Sequence, residues 1–148
     1  MMKRKSLEGN ICAVARSLDI IGDWWSLLII REAIRGVRRF SEFQRNLGAA
    51  KNILTSRLKA LVHQDIFKIV PASDGSAYQE YILTEKGEAL LPVLIALAQW
   101  GKEYLFATNE LCAQPLDAAQ KQPIEKLQVR SQDGRLLNRK DIIIGRID

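Results

Sequence analysis

The chain has 148 residues, 47% of them apolar and 26% charged, with a formal net charge of +5. That length suits one domain with a genuine core, and the composition is that of an ordinary soluble globular protein. No apolar run reaches the roughly 18–20 residues of a membrane span, and no signal-peptide apolar region follows the basic start Lys3-Arg4-Lys5, so the expected location is cytoplasmic.

Other chemistry is thinly represented. A single His, two distant cysteines (Cys12 and Cys112), no Gly-rich phosphate loop and no Gly-x-Ser-x-Gly elbow leave no basis for a metal site, a cofactor or an enzyme. Charge is unevenly placed. Residues 1–63 carry 12 Lys and Arg against 5 Asp and Glu (+7), whereas residues 64–148 carry 10 against 12 (−2).

In chain order, Ile11, Val14, Ala15, Leu18 and Ile21 recur at helical spacing and predict a first amphipathic helix over about 11–21. Gly22-Asp23 breaks it, and Asp23 can cap a second helix from about Trp24 to Arg35, whose run Leu27-Leu28-Ile29-Ile30 makes it the most buried. Gly36 is a natural left-handed residue beyond its end. Ser41-Glu42-Phe43-Gln44 reads as a capping box opening a short helix to about Leu47, and Gly48-Ala49-Ala50 as a turn. A further helix over about Lys51–Gln64 places Ile53, Leu54, Leu58, Leu61 and Val62 on one side.

Phe67–Val70 and Glu80–Leu83 are short β-type runs, and Asp74-Gly75 supplies a turn between them. Thr84 caps a long predicted helix, about Glu85–Thr108, kinked mildly at Pro92. Its stripe of Leu90, Leu91, Leu94, Leu97, Ala98, Gly101 and Leu105 is wider than so small a domain can cover, which points to a second copy of the chain. The expected organisation is a domain over 10–108, a linker over 109–123 and a C-terminal β extension over 124–148. In that extension, Gln128–Ser131 and Arg135–Leu137 form a hairpin about Asp133-Gly134, and Asp141–Ile144 a further strand.

The expected fold is therefore mainly α with a small β-hairpin. Two short helices that bury one face and offer a polar one, followed by a hairpin, match a winged helix-turn-helix entering the DNA major groove. The polar face carries Lys51, Asn52, Thr55, Ser56 and Lys59, with His63 at the helix end. Asn52 suits an adenine edge, and the two lysines suit phosphate or guanine. Arg38 and Arg39, just before a helix N-terminus, are placed for backbone phosphates. Arg57 is equally placed for phosphate or for an internal ion pair. Ala50 offers no capping side chain to the recognition helix, and residues 71–77 carry no basic residue, so the wing tip should anchor phosphate weakly.

The ordered motifs resemble the HxlR family of winged helix-turn-helix transcriptional regulators over about residues 10–107. They are Cys12 at the first helix, Gly22-Asp23-Trp24-Trp25 before an aliphatic helix ending Arg31-Glu32, and Arg39-Phe40-Ser41-Glu42-Phe43. Ile53-Leu54-Thr55-Ser56-Arg57-Leu58, Tyr78 to Gly87, and Leu90-Leu91-Pro92-Val93-Leu94 with Trp100-Gly101 follow. The resemblance implies a homodimer paired through the first and last helices (Val14, Leu18, Ile21, Leu90, Leu94, Leu97, Leu105) and bound to imperfect palindromes in promoter DNA. It also implies that Cys12 is a sensor of oxidants or electrophiles, as in some members. Read from the residues alone, Cys12 is a small buried hydrophobe or a thiolate favoured by Lys3, Arg4, Lys5 and Arg16. Cys112 is a further candidate across the dimer.

Trp24 and Trp25 read as core or dimer interface rather than as a ligand pocket. A small-molecule effector is left open. The alternative function is a protein-interaction module that uses the same fold without a DNA target.

Overall fold

In the computed structural model, which describes residues 5–147, the element order is α1 (Ala13–Ile21), α2 (Trp24–Ile34), α3 (Phe40–Leu47), α4 (Lys51–His63), β1 (Phe67–Pro71), β2 (Gln79–Leu83), α5 (Glu85–Glu88) and α6 (Leu91–Leu105). The chain divides into two compact units, one ending at Leu94 and the other beginning at Ile95. No helix among the described residues is long and apolar enough to cross a membrane.

The first unit is built on the apolar side of α2. Ile29 and Ile30 pack in one core with Phe43 of α3, Leu54, Leu58 and Leu61 of α4, and Phe67 of β1. Phe43 and Phe67 meet edge-on, with ring centroids 6.3 Å apart. Asp23 caps α2 as its position predicts: its carboxylate accepts the Ser26 N–H at 2.9 Å and the Ser26 hydroxyl at 2.6 Å. Glu32, buried on α2, accepts from Arg31 (3.0 Å), Arg35 (3.4 Å) and Asn46 of α3 (3.3 Å), which ties the two helices together. A buried carboxylate is tolerable only when paired in this way. Gly48 ends α3 at φ 63°, the left-handed conformation that turns the chain into α4 at little steric cost.

β1 and β2 pair antiparallel in the register Phe67↔Leu83 to Pro71↔Gln79, forming the expected hairpin. Thr84 then caps α5, its hydroxyl oxygen accepting the Gly87 N–H at 3.1 Å.

Several expectations are corrected. Ser41 is not a helix cap. The Arg38 carbonyl accepts the Tyr81 N–H at 2.7 Å, which holds residues 38–39 extended beside β2; Arg39 becomes the N-cap, and α3 begins at Phe40. The single long helix is two. Pro92 has no N–H to give the Glu88 carbonyl and its ring crowds that group, so α5 stops at Glu88 and α6 restarts at Leu91. Pro92 then sits in a first turn, where the missing donor costs little. Ile53 is exposed rather than on the apolar side, because it lies about 100° round the helix from Leu54.

In the second unit the predicted hairpin shrinks to one bridge, Arg130↔Leu136, around Gly134 at φ 92°. The strand expected at Asp141–Ile144 is absent. A 3-10 turn over Arg139–Asp141, capped by the Asn138 and Asp141 side chains, interrupts it at its first residue.

Candidate nucleic-acid interface

α4 has one buried face (Leu54, Leu58, Leu61) and one open face. Lys51, Asn52, Thr55, Ser56 and Lys59 are all exposed and together line one shallow depression. Spacing of three and four residues places them along one side of the helix. The Thr55 hydroxyl donates to the Lys51 carbonyl at 2.8 Å, leaving its oxygen lone pairs outward. Ala50 precedes α4 with extended backbone and no side-chain cap, as its methyl group dictates.

Three expected phosphate ligands are engaged within the chain. Arg57 Nε lies 3.4 Å from Asp23 Oδ2, the ion pair of its two readings, while its side chain stays partly in solvent. Arg38 Nη1 lies 3.6 Å from Glu80 Oε1 but stays half in solvent. Arg39 is held most firmly: Nη2 is 2.5 Å from Asp74 Oδ2, Nε is 3.6 Å from Glu80 Oε2, and the guanidinium lies 5.2 Å from the centre of the Tyr78 ring.

Two acids of the wing thus organise this surface. Glu80 is buried on β2, between those arginines and Ser73, whose N–H donates to it at 3.3 Å. Asp74 at the wing tip accepts the Ser76 N–H at 2.9 Å. Its pKa is lowered to about 2, first by that backbone N–H, then by the Ser76 hydroxyl and Arg39. The Arg39 pKa is raised, mainly by its bond to Asp74. Sequence reading missed Glu80, because an acid in a short strand gives no sign of burial. No sequence signal marked it, since only folding brings Arg38 and Arg39 beside Glu80.

Of the apolar residues expected at an interface, Val14, Leu18, Leu97 and Leu105 are exposed. Ile21 is buried in the core of its own unit, and Leu90 and Leu94 are half-buried, packing partly against that core. The exposed row on α6 instead includes Trp100 and Tyr104, whose rings sit 5.7 Å apart. Trp24 is exposed, which removes the core reading for it, whereas Trp25 packs on the core. Cys12 is exposed, against its reading as a buried hydrophobe, because it stands before α1 rather than within it. Lys3 and Arg4 lie outside the described residues. Cys112 is partly buried and free.

Helix, tight turn, exposed polar helix and two-stranded hairpin define a winged helix-turn-helix. The chain belongs to the HxlR-like helix-turn-helix family, whose model matches residues 20–109. It is 47% identical over 93 residues to an uncharacterized HTH-type transcriptional regulator of Mycobacterium tuberculosis, a match that covers 63% of this chain. It spans only 59% of that relative's length. Among solved structures it is similar to PA1607, a candidate transcription factor (TM-score 0.90, 48% identity, 95% of this chain and 99% of that one). It is also similar to the redox regulator HypR in its oxidized form (TM-score 0.56, 31% identity, 65% of this chain and 100% of that one).

Proposed function

We propose that the chain is a homodimeric, sequence-specific DNA-binding transcriptional regulator acting at promoters. The observation that carries this reading is α4: five hydrogen-bonding side chains on one exposed face, backed by a fully buried apolar face. Such a helix is rigid against the core while its polar groups remain free for base edges and phosphates. The surplus of basic residues before residue 64 supplies the attractive field. Pairing of two copies through the exposed faces of α1 and α6 would set two recognition helices at the half-sites of an imperfect palindrome. Those half-sites would be spaced by about one DNA turn, roughly 34–36 Å, or a multiple of it.

The test is selection of bound duplexes from a random pool, followed by affinity against salt. A two-fold symmetric site preferred by at least about 10³ over random duplex is expected, with log Kd linear in log salt. Uniformly weak binding to every duplex would favour the interaction-module reading.

A second reading concerns Cys12, exposed at the start of α1, whose N–H donates to Asn10 Oδ1 at 2.8 Å. Its accessibility and the similarity to a redox regulator support oxidant sensing there. Peroxide should lower operator affinity of the wild type and leave Cys12→Ser unaffected. Equal loss in both would defeat that reading.

A further inference from the structure

The second unit contains a cleft of about 440 Å³ between α6 and the segment that follows it, lined by residues from Ile95 to Lys126. We propose that this cleft is a binding site for a small monocarboxylate with an apolar, ring-sized body. The volume lies within the roughly 300–1,000 Å³ of small-molecule sites.

The apolar wall comes from Ile95, Ala98 and Phe106 on α6 and just beyond it, facing Pro115 and Ile124. Phe106 and Ile124 each keep 37% of their surface exposed, so a ligand entering here removes apolar area from water. The cleft is held open by Gln99. Its amide nitrogen donates to the Glu125 carbonyl at 3.1 Å and its oxygen accepts the Leu127 N–H at 2.8 Å, which pins the far wall to the helix. A preformed wall lowers the ordering cost of binding.

The charge that selects an anion is Lys102. Lys126, the other lysine of the lining, pairs with Glu103 at 3.5 Å, and those charges cancel. Glu110 also lines the cleft and keeps its charge, but its carboxylate is bound to its own loop, where it accepts the Ala107 N–H at 3.2 Å. Lys102 donates only to a neutral amide, Gln114 Oε1, at 3.1 Å, and has no ion pair among the described residues. A carboxylate replacing that amide gains a charge-assisted bond. Ile95, Gln99 and Lys102 lie nearly opposite Leu97, Trp100 and Tyr104 on a helix of 3.6 residues per turn. Covering the exposed row therefore leaves the cleft accessible.

The site is independent of the DNA-binding reading, and its test uses the full chain without DNA. Titration calorimetry compares 1-naphthoate with 1-naphthamide, a neutral probe of nearly equal shape. Saturable naphthoate binding, with naphthamide weaker by about tenfold or more, is expected. Lys102→Gln should reduce naphthoate affinity by a similar factor and leave naphthamide within about twofold, whereas Lys126→Gln should change naphthoate much less. Ala98→Trp, which fills the cleft, should abolish both. Lys102→Gln alters a surface side chain, so it remains decisive should the tryptophan variant fail to fold. No saturable binding, equal affinity for the two probes, or loss on Lys126→Gln in place of Lys102→Gln would overturn the proposal.

Discussion

Arg39, the residue before α3, and Asp74, at the wing tip, are joined by a 2.5 Å contact between Nη2 and Oδ2. This link spans 35 residues and bridges the helix-turn-helix to its wing. It also occupies a guanidinium that would otherwise face the DNA backbone in the proposed complex. Asp74 is more than half exposed, so the link stabilises the fold modestly, and its larger effect is on where charge is displayed.

The Asp74 carboxyl should titrate near pH 2. Its folded pKa is depressed below the unfolded value of about 3.9. The associated stability is therefore fully present above about pH 4 and disappears as pH falls toward 2. NMR titration of the carboxyl carbon checks this. Arg39→Gln should raise the midpoint only partway, because the Ser76 N–H is the larger cause.

Asp74→Asn retains an oxygen for the Ser76 N–H but removes the nearer of the two carboxylates that hold Arg39, leaving Glu80 at 3.6 Å. Non-specific duplex binding should tighten, and the slope of log Kd against log salt should steepen by about one. Fluorescence anisotropy over a salt series is the measurement. An unchanged slope would place Arg39 away from phosphate.

Asn52→Ala should weaken binding to a selected site by about 1–3 kcal/mol while sparing random duplex. Lys59→Ala should weaken both about equally and flatten the salt slope by about one. Wild-type affinity in both variants would remove α4 from the groove.

Leu97 and Leu94, one turn apart on α6, should behave differently. Leu97 is half exposed, so Leu97→Glu should leave a folded protein whose mass by light scattering falls from about two chains to one. Leu94 packs on the core of the first unit, so Leu94→Glu should lower the unfolding free energy directly, by several kcal/mol. Urea unfolding separates the two effects.

Ala50→Ser should supply the missing cap of α4 and stabilise the fold by about 0.5–2 kcal/mol in urea unfolding.

Periodicity and capping chemistry were enough to place α1, α2, α4 and the hairpin in the right order. Asp23, Thr84, Gly36 and Gly48 act locally, through groups only a few residues away, so their roles follow from short sequence windows. The polar face of α4 was legible for the same reason, since helical spacing alone sets which side chains share a side. Tertiary structure decided the rest. Ser41 lost its capping position to a backbone hydrogen bond from Tyr81, 40 positions along. Arg38, Arg39 and Arg57 were drawn into ion pairs with Glu80, Asp74 and Asp23, partners whose proximity only folding creates. Ile21 was drawn into the core while Leu18, one turn earlier, remained exposed. Local spacing fixes the side of a helix a residue occupies, whereas charge pairing and burial depend on which distant segments are brought within a few ångströms.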